Sequence, residues 1–145
     1  MRTTLLVALT AALCSVLPAQ EDRKPATPAP HPAREALRQA LAKASADYQR
    51  VVAIATLDDG SSAAAFEALA KQDRKLSRYL LYEYQQVVLP LAAIAEDRAL
   101  ASLAPKAEAE LLVLDATGKL LARTELAAQL AAKDPGTAIT SWLTP

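Results

Sequence analysis

An uninterrupted apolar run at residues 51–57 limits most strongly how this chain can fold. Val51, Val52 and Ile54 are β-branched, and the run lacks the three- and four-residue spacing of an amphipathic helix. A strand with apolar side chains on both faces needs cover on both sides, as in a parallel or mixed sheet with helices above and below it. The sequence therefore predicts that residues 51–57 form an inner strand of an α/β domain.

Helical and extended patterns alternate along the rest of the chain. The clearest strands form a hairpin, because residues 110–115 and 119–123 flank a short loop in which Gly118 can take a positive φ. A further buried strand is expected at residues 86–91, where Pro90 indicates a strand end or a sheet edge. Helices are expected at residues 33–48, 63–71, 94–103, 124–133 and 137–143, with a helical stripe at Leu76, Tyr79 and Leu80 after an interruption at residues 72–75. This order predicts a mixed sheet flanked by helices.

The first residues have the layout of a secretory signal peptide. Arg2 precedes a short apolar run, and small residues follow near Ala19. We expect cleavage after Ala19, so that residues 1–19 are removed and the protein is exported to the periplasm or the extracellular space. The alternative is a lipoprotein that carries its lipid on Cys14, which would anchor the protein to a membrane. Bulky Leu13 directly before the cysteine weakens that alternative.

Residues 20–32 hold four of the nine prolines and predict an extended, semi-rigid tether. The remaining residues, 33–145, are long enough for one domain with its own core. Sixteen basic residues balance sixteen acidic ones, so the chain has no electrostatic footprint for nucleic acid or an anionic membrane. We therefore expect a protein partner, and no contact with a membrane once the signal peptide is removed.

The chain has one cysteine, Cys14, and one histidine, His31, which is expected to be a solvated tether residue. Without residues 1–19 the chain has no thiolate for disulfide exchange. It also lacks a Cys/His metal site and an imidazole base for a serine triad. The sequence indicates no cofactor.

The element order, with an Asp-x-x-Gly-Lys hairpin before a C-terminal helix, resembles the thioredoxin-like fold. The likeness covers residues 33–143, nearly the whole predicted domain. It implies that the strand at residues 51–57 leads into a Cys-x-x-Cys motif at a helix start, where this chain has Asp59-Gly60-Ser61-Ser62. Asp59 and Ser62 replace both cysteines. The family's cis-proline before the hairpin is missing too, since Ala109-Glu110 stand there and Pro105 lies too early.

Asp58 and Asp59 are a possible catalytic pair, because two carboxylates at a strand end can bind a cation or act as acid and base. Carboxylates there are also favoured simply by the backbone dipole of the helix that follows, so helix capping is the preferred interpretation. Ser61 and Ser62 offer the same choice between capping and phosphate binding. The two aspartates would repel a phosphate, which again favours capping.

A basic cluster is followed by tyrosines in the region of residues 71–84. At helical spacing Tyr79 and Tyr82 share a face, and tyrosine can pack its ring while its hydroxyl stays in water. Core-edge packing and a solvated helix face account for this pattern, but it is also the best candidate for a partner surface. The candidate residues are Lys71, Arg74, Lys75, Arg78, Tyr79 and Tyr82.

Three functional hypotheses remain at this point. The leading one is an exported thioredoxin-like domain without redox cysteines that serves as a binding or structural module. The second is a carboxylate-based hydrolase or metal-binding enzyme that uses Asp58 and Asp59. The third is a mostly helical binding domain, because Ala and Leu dominate the composition and Gly is scarce.

Overall fold

The computed structural model of the chain describes residues 31–57 and 59–144. Within these residues, the α-helices are Pro32–Asp47 (α1), Ser61–Gln72 (α2), Arg74–Glu83 (α3), Leu91–Ala95 (α4), Leu126–Leu130 (α5) and Pro135–Leu143 (α6). The strands are Arg50–Thr56 (β1), Tyr84–Pro90 (β2), Ala109–Leu114 (β3) and Leu120–Glu125 (β4), and a 3-10 helix spans Arg98–Leu103. The predicted signal peptide, Cys14, most of the tether and Asp58 lie outside the described residues.

The four strands form one mixed sheet in the order β2-β1-β3-β4. β1 is parallel to β2 and antiparallel to β3, and β3 pairs antiparallel with β4. Every residue of β1 after Arg50 is buried, as expected for an apolar strand with neighbours on both sides. The prediction of a mixed α/β sheet is confirmed, and the mostly helical alternative is wrong. The predicted buried strand is confirmed for residues 51–56, but Leu57 lies beyond the strand and is 50% exposed.

Helices cover both faces of the sheet, so the molecule has two apolar layers. On one face α1 and α4 pack with the 3-10 helix around Leu37, Leu89 and Leu112. On the other face α2, α3, α5 and α6 pack around Phe66, Leu80 and other buried side chains. The alternation of side chains along β1 supplies both layers, because Val51 and Val52 point to opposite faces of the sheet.

β2 is an edge strand in the described sheet, so the expectation of a second buried strand is only partly correct. Burial alternates along it, and Val88 is 43% exposed. The strand ends at Pro90, which lacks a backbone N–H to continue the ladder.

Two predicted helices differ from the structure by more than two residues at one end or are interrupted, whereas the others agree to within two residues. Residues 94–103 do not form one helix, because α4 ends at Ala95 and Asp97 caps a separate 3-10 helix by accepting the Ala99 amide (2.9 Å). Residues 124 and 125 are strand rather than helix, because they pair with Leu111 and Glu110 of β3. In both places a capping or cross-strand bond decides where the helix starts.

His31 belongs to the folded domain, which corrects its interpretation as a solvated tether residue. It is half-buried at the N-cap of α1, and its Nδ1 accepts the Ala33 amide (3.2 Å). Its own amide donates to Glu96 Oε2 (3.1 Å), and Pro32 occupies the first turn of α1. The imidazole satisfies one of the amide donors that a helix start leaves unpaired.

Candidate functional site

The turn between β1 and α2, residues 59–62, occupies the position that the fold resemblance assigns to Cys-x-x-Cys; we call it the β1–α2 corner. Gly60 is the N-cap of α2 and has a φ of 96°, a conformation that favours glycine. Asp59 Oδ1 accepts the Ser61 amide (3.2 Å), so this exposed carboxylate supports the helix start. Ser61 and Ser62 form the first turn of α2. This geometry favours the capping interpretation of the corner.

The start of β3 lies beside the β1–α2 corner, as the resemblance implies. Ala109 pairs with Thr56 at the end of β1, and the Leu57 amide donates to the Glu108 carbonyl (2.8 Å). No cis peptide bond occurs among the described residues. At the position that the fold resemblance assigns to a cis-proline, the start of β3 is instead hydrogen-bonded through its backbone to the end of β1.

Glu110, the second residue of β3, forms a buried ion pair beside this position. Its Oε2 lies 3.2 Å from Arg123 Nη1, and the side chains are 8% and 21% exposed, respectively. Arg123 Nη2 also donates to the Ser102 carbonyl (2.7 Å), which ties β4 to the 3-10 helix. No described residue donates a hydrogen bond of standard geometry to Glu110 Oε2. The Arg123 guanidinium therefore connects β3, β4 and the 3-10 helix.

The described residues provide no set of ligands for the metal-binding alternative. Those residues include no group of three or more His, Cys, Asp or Glu side chains placed to hold a metal ion. Asp58, the partner that this alternative needs, lies outside them. They also include no helix long and apolar enough to span a membrane.

A shallow groove of about 420 Å³ runs between α3 and α6, and we call it the α3 groove. Five of its residues lie on α3 at three- and four-residue spacing, and one lies on α6. Tyr82 is 67% exposed, whereas Tyr79 is half-buried against the core. The lining residues are Lys75, Arg78, Tyr79, Tyr82, Glu83 and Thr140.

The structure brings together four of the six residues of the predicted partner surface. Lys75, Arg78, Tyr79 and Tyr82 line the α3 groove. Lys71 lies elsewhere: it pairs with Glu67 (2.7 Å) and lines a groove of about 650 Å³ between α2 and β2. Arg74 is exposed but does not line the α3 groove.

The sequence prediction missed two contributors to the α3 groove, Glu83 and Thr140. Helical spacing could have identified Glu83, which lies four residues after Tyr79. Thr140 could not be identified in this way, because the packing of α6 against α3 brings it in.

A second, smaller depression adjoins the α3 groove and shares Tyr79 and Glu83 with it. Its other lining residues are Tyr48, Arg50 and Tyr84. Burial raises the pKa of Tyr84 above its usual value, and its hydroxyl donates to the Leu143 carbonyl (2.7 Å). The Tyr84 ring packs at 5.8 Å from that of Tyr79, so the buried Tyr84 holds Tyr79 in place.

Comparison with known proteins identifies the fold. No protein family model matches the chain, and no curated protein matches its sequence. Among solved structures, a disulphide isomerase from Xylella fastidiosa Temecula1 is similar, with a TM-score of 0.61 and 15% identity. The alignment covers 92% of this chain and 100% of that one. The fold is therefore thioredoxin-like, as the element order of the sequence predicts.

Proposed function

We propose that this chain is an exported thioredoxin-like domain that binds a protein partner and performs no thiol chemistry. The observation that supports the proposal is the content of the β1–α2 corner, where Asp59 and Ser62 stand at the positions that the fold resemblance assigns to the two cysteines. Disulfide isomerisation proceeds through attack by a thiolate. The one thiol of the sequence, Cys14, lies in the predicted signal peptide. A binding or structural role is what the fold retains without that chemistry.

Thiol turnover is the direct test of this proposal. Residues 20–145 are assayed for reduction of insulin disulfides by dithiothreitol, with an active thioredoxin as positive control. We expect the rate of the uncatalysed reaction, because a protein without cysteine cannot form the mixed disulfide. Thiol-dependent turnover above that background would overturn the proposal.

Export has its own test, because the signal peptide lies outside the described residues. The full chain is expressed with its natural N-terminus, and the mature protein is analysed by mass spectrometry. We expect a chain that begins at Gln20, released after cleavage at Ala19. An uncleaved Met1, or a lipid on Cys14, would contradict this part of the proposal.

The hydrolase alternative makes a different prediction from the same protein. Phosphate and ester substrates are assayed with Mg²⁺, using the natural protein and a variant that combines Asp58→Asn with Asp59→Asn. We expect no hydrolysis by either, because the Asp59 carboxylate accepts an amide of its own turn. Hydrolysis that the double variant loses would favour the carboxylate enzyme over the binding module.

A further inference from the structure

The two edges of the sheet differ in how they are protected against pairing with another strand. β4 carries the charged residues Arg123 and Glu125. A register shift also interrupts its pairing with β3 between Val113 and Leu114. Charged side chains and bulges are devices by which a sheet edge avoids further pairing. β2 has neither, because its seven residues are uncharged and pair with β1 in one uninterrupted register.

Two residues of β2 indicate which of its backbone groups face away from β1. Alternate residues of a strand direct their N–H and C=O groups to opposite sides. Pro90 has no N–H, and proline in an edge strand turns its nitrogen away from the sheet. Tyr84, six residues earlier, faces the same side, and its amide donates to the Leu80 carbonyl of α3. Gln86 and Val88 lie between them in the same alternation, and no described residue outside the sheet bonds to their backbone groups.

This set of outward groups is complementary to itself. When two β2 strands run antiparallel with Val87 on a twofold axis, Gln86 of each copy stands opposite Val88 of the other. Each such pair exchanges two N–H···O=C bonds, so both outward amides of each copy are paired. At the ends Tyr84 stands opposite Pro90, and neither has an amide left to donate. This register also opposes all seven residues of each strand, whereas a shift by two residues leaves strand ends unopposed.

The charges around β2 permit this twofold arrangement. A symmetric interface fails when it brings like charges together, and β2 has no charged side chain. Glu83, which precedes the strand, would stand opposite Leu91 of the second copy. The two charged residues of the groove between α2 and β2, Glu67 and Lys71, already pair with each other (2.7 Å).

The packing of α1 leaves the β2 edge open. α1 contacts both β2 and β1, and its Leu41 lies against Gly118 in the β3–β4 loop. The helix therefore lies over the sheet rather than beyond its edge. On the opposite face Gln86 and Val88 border the groove of about 650 Å³ between α2 and β2. A second copy would place its own Val88 beside Gln86 and cover part of this apolar surface.

We propose that the protein forms a symmetric dimer in which the β2 strands of two copies pair antiparallel and join the two sheets into one. The assembly is closed, because the twofold axis uses the β2 edge of each copy and the β4 edges are protected. The inference goes beyond the proposed function and does not depend on the absence of thiol chemistry.

Sedimentation velocity of the predicted mature chain, residues 20–145, measures the assembly. We expect a reversible monomer–dimer equilibrium with a Kd of about 1–100 μM, since a strand pair with little else buried is a small interface. A protein that stays monomeric up to about 500 μM would overturn the inference. Association that continues beyond the dimer would overturn it too, because a twofold contact closes.

Variants at the two sheet edges test the location. Val88→Lys should weaken the dimer at least about tenfold, because it places a charge on each side of the axis. Val88→Pro, which removes an outward amide, should weaken it similarly. The matched control is Leu121→Lys on β4, where the natural side chain is 48% exposed compared with 43% for Val88, and it should dimerise like the natural protein. An undiminished dimer for Val88→Lys, with its circular dichroism unchanged, would overturn the inference.

A compensating substitution tests the register. Adding Gln86→Glu to Val88→Lys places a carboxylate directly opposite each new ammonium group across the axis. The double variant should recover at least part of the lost affinity at low ionic strength and lose it again as salt is added. A double variant no better than Val88→Lys alone would overturn the antiparallel register centred on Val87.

Discussion

The β1–α2 corner and the α3 groove use their polar side chains in different ways. At the corner, Asp59 accepts an amide of its own turn, and the neighbouring Leu57 amide is bonded to Glu108. In the groove, Lys75 and Arg78 have no described ion-pair partner, and Tyr82 is largely exposed. The polar groups of the corner therefore bond within the fold, whereas Lys75, Arg78 and Tyr82 extend from the groove into solvent.

This difference makes the α3 groove, rather than the β1–α2 corner, the better candidate for a functional surface. A fold does not carry its chemistry with it, so function has to be argued from the side chains present. Exposed aromatic and cationic side chains are the types enriched in protein interfaces. The comparison predicts that substitutions near the corner change stability and that substitutions in the groove change binding.

The largest effect is expected from Phe66→Ala in α2, compared with Tyr82→Ala in the groove. Phe66 is 1% exposed and packs in the core beneath the helix that begins at the corner. Its truncation should lower the free energy of unfolding by about 3–5 kcal/mol, whereas Tyr82→Ala should change it by no more than about 0.5 kcal/mol. Urea unfolding followed by circular dichroism measures both. A loss for Tyr82→Ala as large as that for Phe66→Ala would mean that the groove is structural.

The next effect concerns the buried ion pair beside the corner. Arg123→Ala leaves the Glu110 carboxylate buried without its cation, which should cost about 3 kcal/mol, the low end for a broken buried pair, since Arg123 is partly exposed. Replacing both residues by leucine should restore much of that stability, because two apolar side chains leave no unpaired charge. Chemical denaturation of Glu110→Leu, Arg123→Leu and the double leucine variant measures the coupling. Additive losses would show that the pair is not a unit.

Gly136→Ala should have a smaller effect and should act on the groove side of the molecule. Gly136 is buried in the first turn of α6, and a Cβ there would overlap the Asp73 carboxylate. Asp73 Oδ1 caps α3 by accepting the amides of Lys75 (2.8 Å) and Leu76 (2.9 Å). Displacing the cap should cost about 1–2 kcal/mol. Thermal unfolding measures the loss, with Ser141→Ala on the exposed side of α6 as control; equal melting temperatures for the two variants would contradict the cap.

Sequence patterns within a short window predicted the elements that depend only on neighbouring residues. The apolar run of β1, the Gly118 hairpin and the breaks at Asp73 and Asp134 each arise from neighbouring residues. Long-range contacts set the rest. The break at Asp97 is accompanied by an ion pair to Arg34 of α1 (2.8 Å), and β4 extends to Glu125 because β3 lies beside it. Patterns within a short window carry no information about such partners.

The same division applies to the candidate site. The sequence predicted a surface of six residues, and the four that share it, Lys75, Arg78, Tyr79 and Tyr82, lie on one helix that fixes their relative positions. Helical spacing could not identify Thr140 of α6, which lines the groove, or Tyr48 at the C-cap of α1, which lines the adjoining depression, because tertiary packing brings both to α3. The resemblance placed residues 59–62 correctly at a strand end and helix start, since that junction depends on chain order. His31 was misplaced because proline-rich composition hid its role as a cap.

The smallest effect is a pH dependence at the start of α6, where one carboxylate near the groove has a structural role. Hydrogen bonds from the Thr137 amide and hydroxyl hold the pKa of Asp134 below its usual value, with a smaller contribution from the charge of Lys75. A carboxyl group with a lowered folded-state pKa stabilises the protein above its unfolded pKa, and that stability is lost as pH falls through the lowered value.

Asp134→Asn should therefore lower the melting temperature slightly at neutral pH, and this difference should shrink as the pH falls below the usual aspartate value of about 3.9. Thermal unfolding of both proteins between about pH 3 and pH 7 measures the effect. A deficit that persists unchanged at acid pH would show that shape or packing, not the carboxylate charge, stabilises this end of the groove. If the deficit shrinks in acid, the charge of the Asp134 carboxylate stabilises the start of α6, through its bonds to Thr137 and its attraction to Lys75.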